Sequence, residues 1–146
     1  MKYVVIDLEM NPIAAVHTAE REICKLKVIE IGAVLLDEKY QEIGSFVTLV
    51  KPRLNSRIER KYEKLTGIKT EMTESAPYFE DALDMFFSWC NNIPDEIQII
   101  QWSENDFAQF SKEIQMKKIP LSTQNQKYMT TSWLDFQAEY CYTLWL

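Results

Sequence analysis

The feature that most constrains this chain is its first strand, the run KYVVIDLE at residues 2–9, a compact β-branched segment that ends in two acids. Such a run suits a buried central strand. In a strand, residues two apart point to the same face, so Asp7 and Glu9 project side by side from its carboxyl end. Adjacent carboxylates repel unless a cation lies between them, and hard oxygen donors in this arrangement suit Mg²⁺ or Mn²⁺. A solvated strand end has the same spacing, so the pair alone leaves both readings open.

The rest of the chain supplies a frame for that strand. A polar, irregular stretch runs from Asn11 to about Lys27. Val28–Asp37 and Gln41–Val50 then read as strands joined by a hairpin turn over Asp37–Tyr40. Pro52 breaks the third strand. Ile58, Tyr62 and Leu65 fall on one stripe of a short helix that Gly67 stops. Ser75 with Pro77 starts a stronger helix whose apolar side is Phe79, Ala82, Leu83, Phe86, Trp89 and Cys90. Ile97–Trp102 is a strand, and Trp102 is read as core. Ser103 opens a helix as its cap, with Phe107, Phe110 and Ile114 inward and Asp106 near its start. Tyr128–Leu134 reads as a last strand, after which Asp135 caps a final helix. Three strands in a meander followed by strand–helix alternation imply a mixed sheet with helices on its faces.

Length and composition are compatible with that frame. At 146 residues, 47% hydrophobic and 26% charged, the chain is one domain's worth of an ordinary globular protein. Three glycines argue against Gly-rich phosphate loops. No apolar stretch is long enough to span a bilayer, and residues 1–10 do not read as a signal peptide, so no membrane partner is expected. Cys24, Cys90 and Cys141 form no CxxC pair and are read as thiols of a cytoplasmic protein. The net charge of −6 does not suggest a nucleic-acid partner, but its distribution matters. Lys51, Arg53, Arg57, Arg60, Lys61, Lys64 and Lys69 crowd one segment, either a phosphate-contacting surface or a solvated helix face.

Several segments, taken in order, resemble the DEDD superfamily of exonucleases. VVIDLEMNP is similar to its first motif and VIEIGAVLLD to its second strand. KLTGIKTEM resembles its Thr-Gly-Ile turn, APYFEDALDMFFSW the helix that follows, and IIQWSENDF the second catalytic motif. The resemblance runs from about Lys2 to Tyr140. It implies a ribonuclease H-like α/β fold, with an antiparallel meander plus parallel strands, and 3′–5′ cleavage of single-stranded RNA or DNA. It implies a two-metal site of Mg²⁺ or Mn²⁺ in which Asp7 bridges the ions, Glu9 binds one and Asp106 supports the second. Met10, Leu65 and Thr66 are, by the same resemblance, contacts to the terminal nucleotide. Glu30, an acid in an apolar strand, is read as orienting a ligand or pairing with a basic residue.

The family's third motif, a His or Tyr followed by an Asp on a late helix, finds no match. His17, the only histidine, is followed five positions later by Glu22, but it lies in a polar loop early in the chain. The expectation is a single exonuclease-like domain over 1–146 that is C-terminally truncated, lacks its last helix and is weak or inactive as it stands. Its rivals are a degenerate exonuclease that only binds single strands and an interaction module without metal or nucleic acid. A missing helix would leave an apolar patch that includes Trp133, Tyr140, Leu144 and Trp145, and a homodimer is the expected way to cover it.

Overall fold

The computed structural model describes residues 1–54 and 57–144. Its elements follow the order β1 (Lys2–Pro12), α1 (Thr18–Ile23), β2 (Leu26–Leu36), β3 (Glu42–Leu49), α2 (Arg60–Thr66), α3 (Thr70–Thr73), α4 (Phe79–Asn91), β4 (Ile97–Gln101), α5 (Asn105–Lys117), α6 (Thr123–Thr130), β5 (Leu134–Asp135) and α7 (Phe136–Leu144). The five strands form one sheet in the order β3-β2-β1-β4-β5. β1, β2 and β3 pair antiparallel, whereas β4 and β5 join in parallel. This is the expected ribonuclease H-like mixed sheet, with the acid-bearing strand at its centre.

One face of the sheet carries the core. Val4, Ile6 and Leu8 of β1 and Ile31 and Ala33 of β2 pack on Phe79, Leu83, Phe86 and Phe87 of α4 and Phe110 of α5. The rings of Phe79 and Phe110 meet edge-on at 5.8 Å, and Phe86 meets Phe110 in the same way at 6.0 Å, so the two helices lock to each other as well as to the sheet. A smaller cluster of Ile29, Ile58 and Ile68, with Leu49 and Tyr62 against it, seats α2. Val5, Val34, Ile100 and Leu134 lie in one row on the opposite face and are only half-buried, while Val47 there is 70% exposed.

Several sequence-based expectations need correction. Tyr128–Leu134 is not a strand: Ser122 caps α6 by accepting the Asn125 N–H at 3.1 Å, helix runs to Thr130, and only Leu134–Asp135 pair with β4. Trp133 is buried, its indole N–H donating to the Tyr128 carbonyl at 2.8 Å, so it leaves the exposed patch. Trp102, read as core, is 54% exposed and lies against Phe136 and Tyr140. Tyr140 and Leu144 are exposed as expected, and Trp145 falls outside the described residues. Leu65 leaves the stripe it was assigned to and is 76% exposed. The expected C-terminal stop of α2 does form, with Gly67 at φ 76°, a left-handed conformation glycine adopts without penalty. Among the described residues no helix is long and apolar enough to cross a membrane.

Candidate active site

The site begins where β1 outruns β4. Parallel pairing of the two strands ends at Val5↔Ile100, and beyond it the first turn of α5 takes over. There Asp106, almost fully buried, comes close enough to the backbone N–H of Leu8 to be stabilised by it electrostatically. Leu8 lies between Asp7 and Glu9, so a carboxylate from α5 faces the centre of the β1 pair. The entry to α5 is held from both sides. Gln101, buried at the end of β4, accepts the Phe107 N–H at 2.9 Å, and Asp135 accepts the Ser103 N–H at 3.1 Å and the Ala138 N–H at 3.2 Å. Ser103 was expected to be the helix cap, but it sits in the left-handed region at φ 72° and Glu104 holds the cap position. Asp106 is turned inward toward β1.

Glu30 departs from its expected pairing with a basic residue. In β2 it stands directly opposite Glu9, and no ion pair holds it among the described residues. The acids perturb one another. Burial first, then the charge of Asp7 and more weakly Glu9, push Asp106 up to about 7, against the pull of the Leu8 N–H. Burial, followed by Asp7 and Glu30, raises Glu9; burial and Asp7 raise Glu30. No basic side chain opposes these shifts. Such a field favours a cation, and all-carboxylate oxygen donors fit a hard divalent one. Among the described residues, no three of these side chains already converge as a coordination shell. His17 sits on the turn before α1 and has no part in the shifts of Glu9, Glu30 or Asp106.

The residues expected to meet a terminal nucleotide lie on two elements, β1 and α2. Met10 is half-buried on β1, just past Glu9, and Thr66 ends α2 with its hydroxyl donating to the Tyr62 carbonyl and accepting the Ile68 N–H. Leu65 projects beside Arg60, Lys61 and Lys64 along a shallow groove. Asn11, which sequence reasoning passed over, brings the two parts together. Fully buried at the end of β1, it accepts the Glu59 N–H at 3.0 Å and donates to the Arg57 carbonyl at 3.3 Å, tying the entry of α2 to the acid-bearing strand. Gln109 and Glu113 were also missed. An amide two residues past Glu9 at the end of the acid-bearing strand, and polar residues three and seven positions past Asp106 on an inward helix face, were the signals available.

The basic segment divides. Arg53 pairs with Glu80 and stacks on Tyr78, its guanidinium 3.6 Å from the ring centroid, so it serves the base of α4. Arg60, Lys61 and Lys64 stay exposed on α2.

No curated protein matches this chain in sequence. Its fold is similar to that of the nuclease domain of 3'hExo, a DEDDh family member bound to rAMP, with a TM-score of 0.80 at 16% identity over 99% of this chain and 71% of that one. It is also similar to a full-length 3'-exonuclease (TM-score 0.79, 15% identity, 99% of this chain and 47% of that one). The third is E. coli exonuclease I in complex with a dT13 oligonucleotide (TM-score 0.68, 14% identity, 98% of this chain and 30% of that one). The chain therefore spans well under the full length of most of these proteins. The sequence profile of the RNase T exonuclease family matches residues 4–141, which cover both β1 and the start of α5. The chain belongs to that exonuclease family, as its resemblance to the DEDD superfamily implied.

Proposed function

We propose that this chain is the catalytic-fold domain of a divalent-metal-dependent 3′–5′ exonuclease acting on single-stranded RNA or DNA. One observation carries the reading: burial together with the charge of Asp7 raises the pKa of both Glu9, on β1, and Asp106, on α5, with no basic residue in reply. Asp7 and Glu9 would hold Mg²⁺ or Mn²⁺ from β1, with Asp106 completing the set from α5 and Glu30 adding to the negative field. Cations held there would supply the activation of water and the stabilisation of the leaving oxygen of the cleaved phosphodiester. Met10, Leu65 and Thr66 would meet the terminal nucleotide, and Arg60, Lys61 and Lys64 would contact phosphates upstream of it. One structural neighbour holds dT13 and another recognises a histone mRNA stem-loop, so the likeness of fold favours neither sugar.

Within residues 1–146 there are three of the family's four carboxylates and no histidine beside them. Loss of a general base typically costs about 10²–10⁴ in rate. The 146-residue polypeptide should therefore digest a 3′-labelled oligonucleotide slowly or not at all with Mn²⁺. Adding a segment that carries His-x4-Asp should restore EDTA-sensitive digestion that an Asp7→Ala change abolishes. Rapid digestion by the short polypeptide, dependent on Asp7, would show that the base is already present. No digestion by the extended one, with salt-sensitive binding retained, would favour a degenerate exonuclease that only binds single strands. A homodimer, through the half-buried row on the open sheet face together with Val47, Tyr140 and Leu144, belongs to the same proposal, and sedimentation as a monomer at about 50 µM, where only weak pairing would escape notice, would remove it.

A further inference from the structure

The register of β1 against β2 slips at the candidate site. Glu9 pairs with Glu30 but Met10 pairs with Val28, which leaves Ile29 as an extra residue without a partner on β1. A bulge of this kind interrupts the ladder and turns backbone groups away from it. Here the Val28 N–H donates to the Oε2 of Glu113 at 2.8 Å. Glu113 is completely buried in α5, where an acid survives only if its oxygens are matched. They are: Oε2 also accepts from Gln109 Nε2 at 3.0 Å, and Oε1 takes Lys117 Nζ at 3.1 Å. Gln109, itself buried, donates from the same nitrogen to the Leu26 carbonyl at 2.8 Å and to the Cys24 sulfur at 3.3 Å.

Asp106, Gln109 and Glu113 lie at i, i+3 and i+7 and so share one side of α5. That side reads the backbone of two strands in succession: Asp106 meets the Leu8 N–H of β1, Gln109 the Leu26 carbonyl and Glu113 the Val28 N–H of β2. Apolar packing fixes how deep a helix sits but tolerates sliding along a smooth face, whereas hydrogen bonds to named backbone groups fix the slide. The two contacts with β2, at Leu26 and Val28, lie together just before the Ile29 bulge that ends the Glu9–Glu30 pairing. They therefore set the position of α5, and with it Asp106, relative to Glu9.

We infer that Gln109 and Glu113 are positioning residues for the candidate metal site: by clamping α5 to the β2 bulge, they hold the Asp106 carboxylate at Leu8 between Asp7 and Glu9. The inference rests on the functional reading above for its consequence but not for its geometry. Support of this type around ligating carboxylates is worth about 10–100-fold in metal affinity.

The test compares Glu113→Met, which loses the acceptor for Val28, with Glu113→Gln, which keeps a carbonyl oxygen there while losing the ion pair with Lys117. Cys90→Ala, a buried truncation in α4, controls for lost stability, and Gln109→Leu replaces Glu113→Met if the latter does not fold. Two readouts apply to the full 146-residue chain well below its melting temperature: the amide proton and nitrogen shifts of Leu8, which need no metal, and the Mn²⁺ affinity. Glu113→Met or Gln109→Leu should displace the Leu8 signal and weaken Mn²⁺ at least tenfold. Glu113→Gln and Cys90→Ala should leave both readouts near wild type even where melting falls. An unmoved Leu8 signal in Glu113→Met and Gln109→Leu, or equal movement in all variants in step with melting temperature, would overturn the inference. If the wild type binds no Mn²⁺, the metal reading fails alone and the Leu8 signal still decides the clamp.

Discussion

α4 and α5 are both 13-residue helices on the same face of the same sheet, yet they bury opposite chemistries. α4 buries Phe79, Ala82, Leu83, Phe86, Phe87 and Cys90, all apolar or nearly so. α5 buries Phe110 beside Asp106, Gln109 and Glu113. The first arrangement yields stability mainly by area removed from water. The second gains little from area, because desolvating two carboxyls offsets most of it, but it fixes atoms to within a hydrogen-bond length. In this molecule stability and placement are assigned to different helices, and only the placement helix delivers a residue to the acids of β1.

Mutations should separate the two roles. Phe86→Ala should cost about 3–5 kcal/mol of stability, the usual penalty for emptying a fully packed aromatic site, while the fraction still folded binds Mn²⁺ as before. Asp106→Asn should do the reverse, leaving melting at neutral pH unchanged or raised, since it removes a buried acid surrounded by acids, while abolishing the metal response. Denaturant unfolding paired with calorimetry checks both. Equal losses of stability in the two variants would erase the distinction.

The pH dependence of stability sharpens it further. Burial pushes Asp106 up to about 7 from 3.8, so between those values the folded chain keeps a proton that the unfolded chain has lost, and stability falls as pH rises. Burial likewise raises Glu113, against Lys117, Gln109 and the Val28 N–H, and adds to that slope. Lys27 shows the opposite sign. Burial and the charge of Lys117, opposed by Glu113, bring it down to about 7 from 10.5, so above 7 the unfolded chain holds the extra proton and stability climbs with pH. The metal-free protein should therefore melt lowest near pH 7. Asp106→Asn should flatten the acid limb and Lys27→Met the alkaline one. A melting maximum at neutral pH would contradict the account.

The smallest effect expected lies on α2. Single-strand binding should weaken with salt, with a slope of about −0.7 per phosphate neutralised. Reversing Arg60, Lys61 and Lys64 should lower both affinity and slope, whereas reversing Arg53, which is committed to Glu80 and Tyr78, should change little. Fluorescence anisotropy over a salt series separates the two groups. Identical effects would mean that the whole segment acts as undifferentiated charge.

What the sequence disclosed follows the same division. The β-branched run of β1, the hairpin and the apolar stripe of α4 are periodic, and periodicity is a local signal, so the sheet and its core were readable. Asp7 and Glu9 were readable because a strand fixes which side two neighbours share. The part of the site that was not readable depends on register. The slip at Ile29 leaves no mark in composition, and without it nothing distinguishes Glu113 from a solvated helix acid or Glu30 from half of an ion pair. Trp102 and Trp133 exchanged their expected places for a related reason. The two-residue strand Leu134–Asp135 and the helix Thr123–Thr130 are set by contacts with β4 and α4, and their own residues favour no element strongly.

The central claim is that Asp7 and Glu9 from β1 and Asp106 from α5 act as one cation site, and titration calorimetry with Mn²⁺ tests it most directly. The wild type should bind Mn²⁺ and melt at a higher temperature in its presence, because a ligand of the folded state alone stabilises it. The Asp7→Asn, Asp106→Asn double variant should fold, bind no Mn²⁺ and show no shift in melting. An equal response to Mn²⁺ in the two proteins would contradict the account.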